Sequence, residues 1–159
     1  MEIVVADTES DLAAVWELFQ EYMASLSTDA CRFHDFERHI SELPGEYGLP
    51  HGRLFLARNA DTGVGCVALR RLEPEVGELK RLYVRPQFQG VGTGRRLVEA
   101  AIAAARQVGY RRVRLDTLRT MQAAGRLYRS LGFQEIAPYV SDPIDGAVFM
   151  ELRLARGAR

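Results

Sequence analysis

Cysteine and histidine are scarce, and long apolar runs are missing altogether. The 159 residues include two cysteines, Cys31 and Cys66, in neither a CxxC nor a zinc-ligand spacing, so reduced thiols are expected. Cys66 falls in the apolar run from Gly65 to Leu69 and reads as a small buried hydrophobe rather than a reactive nucleophile. The histidines are His34, His39 and His51; they form no metal-binding pattern, and no metal is expected. No apolar stretch approaches the roughly 20 residues a bilayer span needs, so no membrane association is expected. Met1 to Asp7 lacks the basic start and apolar stretch of an export signal, which reads as a cytoplasmic protein. No repeat, linker or low-complexity tract divides the chain. One domain over 1–159 is expected, able to bury about two-thirds of its unfolded surface without staples.

The formal net charge of zero hides an internal division. From Met1 to Leu79 there are 15 acidic and 6 basic residues, whereas Lys80 to Gly132 carries 12 basic and 2 acidic. Such asymmetry usually has a partner: a small polyanion held in the basic half, a nucleic acid, or simply solvent around exposed arginines. Arg95, Arg96, Arg106, Arg111, Arg112 and Arg114 are not interleaved with aromatics as single-strand binding requires, so no nucleic acid is expected.

Glu2 to Ala6 suits a strand, and Asp7 or Thr8 offers a cap for a long helix. Leu12, Val15, Trp16, Phe19, Tyr22, Met23 and Leu26 recur at three and four on its face. A shorter helix is expected over Phe33 to Leu43. Arg53 to Arg58 and Val64 to Leu72 read as a hairpin, with Asp61 and Gly63 as turn formers. A third strand over Glu78 to Val84 leads to a glycine-bearing segment and a helix whose Leu97, Val98, Ala101, Ile102 and Ala105 share one face, ended by Gly109. Val113 to Thr117 is another strand and Thr120 to Leu131 another helix. Phe133 to Ile136 and Ala147 to Leu152 close a βααβββαβαββ order, a mixed α/β domain.

Between Val84 and Arg96 a strand ends, Gly90, Gly92 and Gly94 alternate, and an amphipathic helix begins. Free amide groups and the positive helix end converge there, which suits an anion. Gly92 and Gly94 lack the β-carbon that would keep a phosphate from the backbone. The P-loop pattern fails because no lysine follows the glycines, and the dinucleotide pattern fails because Arg95 stands in place of its third glycine. Gln89, Gly92 and Gly94, however, fit the Q/RxxGxG/A signature of the GNAT acetyltransferases, which this segment resembles. Leu127, Tyr128, Gly132 and Phe133 resemble that family's LYxxxGF segment, in the correct order after one intervening strand. Met121 departs from the family pattern, taking the place of an asparagine that contacts the pantetheine arm in many members.

The resemblance implies a central mixed, mostly antiparallel sheet with splayed middle strands and about four flanking helices. It also implies acetyl-CoA as acyl donor. Gln89, Gly90, Val91, Gly92, Thr93, Gly94 and Arg95 would bind its pyrophosphate, and backbone amides around Leu82, Tyr83 and Val84 would face the pantetheine and the acetyl carbonyl, in the manner of an oxyanion hole. Tyr128 would serve the departing thiolate, its alternative being a packed aromatic. Glu78 stands where the histone-acetylating branch has its base; the alternative is a surface carboxylate paired with Lys80 or Arg81. The coenzyme core would span about 78–133, with helices over about 8–44 and the closing strands shaping the acceptor side. A small-molecule amine or a peptide amino group is the expected acceptor, and His51, Arg53 and Tyr139 are candidates to bind an acceptor carboxylate. Family members often dimerise, so a homodimer is open. A non-catalytic acyl-CoA sensor would use the same loop, but it would need neither Glu78 nor Tyr128.

Overall fold

The computed structural model describes residues 1–26 and 43–155. Its strands are β1 (Glu2–Val5), β2 (Arg53–Asn59), β3 (Thr62–Glu73), β4 (Val76–Val84), β5 (Arg112–Leu118), β6 (Gln134–Ile136) and β7 (Ala147–Arg153). The helices among the described residues are α1 (Glu9–Ser25), α2 (Thr93–Val108) and α3 (Gln122–Ser130). Among the described residues the element order agrees with the one read from the sequence. The additional helix expected over Phe33 to Leu43 falls, Leu43 apart, outside the described residues.

Local chemistry explains where each helix begins and what it buries. Thr8 caps α1, its hydroxyl accepting from the Asp11 amide at 3.1 Å, and Glu9 and Asp11 place negative charge at the positive helix end. Val15, Leu18 and Phe19 turn inward against Leu54, Leu56, Cys66 and Ala68 on one face of the sheet. Leu18, outside the expected stripe, is completely buried. Along α2, Leu97, Val98, Ala101, Ile102 and Ala105 are all buried against the opposite face, with Phe55, Val67, Leu69 and Leu115. Gly109 ends that helix at φ 101°, a left-handed conformation glycine adopts without strain.

The sheet runs β1-β2-β3-β4-β5-β7-β6, antiparallel throughout except where β4 and β5 pair in parallel. That parallel register covers Val76↔Arg112, Gly77↔Val113 and Glu78↔Arg114 and then stops. Both strands run on, β4 to Val84 and β5 to Leu118, so they splay apart. A bulge accompanies the splay. Ala68 pairs with Lys80 but Cys66 pairs with Tyr83, which leaves one extra residue on β4, and Arg81 there has φ 58°. An extra residue kinks a strand and re-aims its groups. At the other end of β3 the hairpin turns at Ala60 and Asp61, so Gly63 belongs to the strand rather than to the turn.

Candidate active site

From Val84 the chain passes through one 3-10 turn, Pro86–Phe88, and enters α2 at Thr93. Gly90 and Gly92 hold φ 80° and 89°, the left-handed region that favours glycine. The loop is braced from within. Gln89 Nε2 donates to the Val84 carbonyl at 2.8 Å, and Thr93 Oγ1, on a residue 1% exposed, donates to the Phe88 carbonyl at 3.2 Å. These two side chains therefore hold the loop's shape and leave its backbone free. Arg96 makes the first bond of the helix, its amide donating to the Gly92 carbonyl at 3.0 Å. The amides from Gly90 through Arg95 have no hydrogen-bond partner among the described residues.

A row of fixed N–H donors at the positive end of a 16-residue helix suits a diphosphate. A Cβ placed on Gly90 or Gly92 would meet no protein atom within 4 Å, so both positions face open space. Gly94 differs from expectation: a Cβ there would lie 3.5 Å from Leu127 Cδ2, pointing into the protein rather than toward an anion. Arg95 reaches sideways to Ser130 Oγ at 2.6 Å and keeps positive charge beside the row. The donor set thus fits the diphosphate of coenzyme A.

Where β4 and β5 splay, a cleft opens between them. Leu79, Lys80 and Arg81 on β4 form one wall, and Asp116, Thr117 and Leu118 on β5 form the other. Tyr22 and Met23 of α1 contribute from above, and Met121, Ile144 and Ala147 complete the lining. Met121 thus stands at the cleft with its thioether 3.7 Å from Thr117 Oγ1, an apolar group where the family pattern has an amide. Past Glu78, the edge of β4 that carries Leu82, Tyr83 and Val84 has no strand partner on the β5 side. The Tyr83 hydroxyl points to α1, donating to Glu21 at 3.3 Å, and Arg85 ties the same carboxylate at 2.6 Å.

Tyr128 on α3 is 6% exposed and packs edge-on against Phe133 at 5.7 Å. Its hydroxyl makes no hydrogen bond among the described residues. Burial, and then the charges of Tyr22 and Asp116, raise its pKa far above the ordinary phenol range, so it stays protonated. Although Tyr128 does not itself line the cleft, Tyr22 and Asp116 do. Burial and the Asp116 carboxylate also push the Tyr22 phenol up to about 12.

Glu78 is 2% exposed, so it is a buried carboxylate and not a surface one. Arg70 Nε donates to its Oε1 at 2.7 Å and the Tyr139 hydroxyl to its Oε2 at 2.6 Å, while Lys80 Nζ stands 3.7 Å from Oε1. Burial and this carboxylate raise the Tyr139 pKa well above its usual value. Tyr139 is thereby engaged with Glu78; Arg53 donates to the Pro50 and Gly52 carbonyls, and His51 lies 3.3 Å from Arg71. None of these three candidates for an acceptor carboxylate lines the cleft. Sequence reading overlooked Asp116, Arg70 and Tyr22 as site residues; pairing register and the splay, rather than motif spacing, bring them there. Among the described residues no group of three or more His, Cys, Asp or Glu is placed to hold a metal ion, and no helix is long and apolar enough to cross a membrane.

Comparison with known proteins gives the same picture. The family model described as "Acetyltransferase (GNAT) family" matches residues 12–133. An uncharacterized N-acetyltransferase of Schizosaccharomyces pombe is 38% identical over 141 residues, covering 87% of this chain and 86% of that protein. The N-alpha-acetyltransferase RimI of Mycobacterium tuberculosis is 39% identical over 95 residues, 57% of this chain and 58% of that one. Among solved structures, yncA from Salmonella typhimurium with its cofactor acetyl-CoA superposes with a TM-score of 0.69 at 25% identity, covering 100% of this chain and 96% of that chain.

Proposed function

Because the chain belongs to the GNAT family of acetyl-CoA-dependent N-acetyltransferases, we propose that it moves an acetyl group onto a primary amine of a small molecule or peptide by direct attack on the thioester. The observation that carries this reading is the row of unpartnered amides from Gly90 to Arg95, in the loop that follows the splayed end of β4. When bound there, acetyl-CoA supplies an acetyl group already activated as a thioester. The loop amides hold the diphosphate. The free edge of β4 at Leu82, Tyr83 and Val84 offers main-chain donors to the pantetheine and the acetyl oxygen, where negative charge develops. The Tyr128 phenol, kept neutral by burial, is a proton or hydrogen-bond donor for the departing sulfur.

Glu78 takes a positioning role rather than that of a base, because both its oxygens are engaged and it is shut from solvent. It holds Arg70, Lys80 and Tyr139 on the acceptor face. Residues 78–133 carry the coenzyme in a single acetyltransferase domain spanning 1–159, and the segment 8–44 with the β6–β7 connection shapes the acceptor side. Tyr22, Met23 and Ile144 at the cleft support that division. The test is mass spectrometry of a metabolite and peptide pool incubated with the protein and acetyl-CoA. Acetylated amines are expected, in step with release of coenzyme A. Tight acetyl-CoA binding without transfer to any amine, amino acid or peptide would overturn the proposal.

A further inference from the structure

The α1-facing side of the sheet carries a row of charges across its middle strands. Ala68, which packs beneath α1, pairs with Lys80; Arg70 pairs with Glu78, and Glu78 with Arg114. Paired residues share a face and alternate residues return to it, so Asp116 belongs to the same row. Its carboxylates are closed off one by one. Glu78 is held by Arg70 and Tyr139, and Glu151 by Arg114 Nε at 2.8 Å with Arg112 at 3.8 Å. Asp116 is the exception. Its contact is to Lys80 Nζ, 3.5 Å from Oδ1, and Oδ2 accepts no hydrogen bond among the described residues. The side chain is 19% exposed and lines the cleft.

From this geometry, and resting on the acetyltransferase reading above, we infer that Asp116 is the catalytic group that docks the acceptor's ammonium and takes its proton. A carboxylate oxygen left open in a mostly apolar cleft favours a cation with several N–H donors, which a primary ammonium supplies. Among the described residues the groups that face it are Lys80 on β4, Tyr22 on α1, Tyr128 on α3 and Tyr139 in the β6–β7 connection. The phenols add no positive charge. Lys80 and Arg81 at the same cleft disfavour a third persistent cation, so the docked ammonium is biased toward losing its proton. That proton passes to Asp116 and on to solvent, leaving the nitrogen lone pair free. The pair forms the bond to the acetyl carbon as the carbon–sulfur bond breaks and its electrons leave with sulfur. Nitrogen's second proton goes to Asp116, sulfur takes the Tyr128 phenol proton, and exchange with solvent resets both groups. One proton is released per amide formed.

The test uses full-length protein labelled with [γ-13C]aspartate, saturated with coenzyme A, and titrated with propylammonium chloride; sodium propionate serves as the control. The Asp116 carboxyl signal, assigned from its absence in Asp116→Asn, should shift saturably with propylammonium and stay put with propionate. Propylammonium affinity should fall roughly tenfold or more in the variant, in line with loss of a charge-assisted contact, while coenzyme affinity stays within about twofold, which also shows the variant folded. A signal unmoved by the amine, or equal amine binding by wild type and variant, overturns the assignment. If coenzyme A itself does not bind the wild type, the acetyltransferase reading falls instead. A binding coenzyme with a silent Asp116 sinks only this inference.

Discussion

Replacing Gly92 with valine separates the loop's structural role from its binding role. Gly92 has φ 89° and caps α2, and a Cβ built there meets no protein atom within 4 Å. The fold therefore suffers only the left-handed backbone penalty, ~1–2 kcal/mol for a residue with a side chain. For a chain of this size that corresponds to roughly 2–8 °C in Tm. Binding should suffer far more, because the new side chain stands in the space above the free amides. A hydrogen bond to a charged group contributes ~1.5–3 kcal/mol, so losing two costs ~3–6 kcal/mol, or about 10² to 10⁴ in coenzyme affinity. Gly94→Ala is the internal control: its methyl would sit at ordinary contact distances, 3.5 Å from Leu127 Cδ2 and 3.9 Å from Val84 Cγ2. It should keep coenzyme affinity and gain up to ~1 kcal/mol from the loss of a helical glycine. Titration calorimetry with coenzyme A and scanning calorimetry of both variants decide the matter. Unchanged affinity in Gly92→Val, or equal losses in the two variants, refutes the assignment of the loop.

Tyr128→Phe should lower turnover by about 10² where chemistry limits the rate, with coenzyme affinity nearly intact; unchanged turnover removes the phenol from the mechanism. Tyr139→Phe strips the buried Glu78 carboxylate of a 2.6 Å donor and should cost ~1.5–3 kcal/mol in urea unfolding. Combined with Glu78→Ala it should show a coupling of about 0.5–3 kcal/mol, and strict additivity would deny that the pair acts as a unit. The buried phenols give a pH dependence with a definite sign. Tyr22, Tyr128 and Tyr139 have pKa values raised in the fold, whereas unfolded phenols titrate near about 10. Their contribution is complete below that value and declines as pH rises toward about 12, the Tyr22 value, because the unfolded chain releases protons first. Tm should stay level from about pH 7 to 8, begin to fall as the unfolded Cys66 thiol ionises near about 8.5, and fall more steeply above about 10, that steeper fall being gentler in Tyr22→Phe; a Tm level through pH 11 contradicts this.

What the sequence made legible was local. The α2 stripe needs only helical spacing, and every one of its five expected residues is buried. Glycines that must turn the chain announced the loop, and Gly90 and Gly92 do take positive φ. What stayed hidden depends on distant pairing. No propensity marks Arg81 for a left-handed conformation; the bulge opposite Cys66 and Ala68 imposes it. Glu78 acquires Arg70 from β3 and Tyr139 from beyond β6, partners that only register and the closing strands could supply. Asp116 looked like one residue of an ordinary strand, since nothing in its neighbours tells that β4 abandons β5 after Glu78. Gly63 reads as a turn former, yet it sits within β3 and its carbonyl accepts from Arg85 at 2.8 Å.

The brief parallel register of β4 with β5 has a mechanical consequence. A short run from Glu75 to Glu78 stitches the four-strand half of the sheet to the three-strand half along their shared border. Main-chain bonding across that isthmus is thin, so side-chain packing under α2 must carry much of the load between the plates. Any molecule wedged into the gap and touching both plates would act as a rivet, so that occupancy and rigidity rise together.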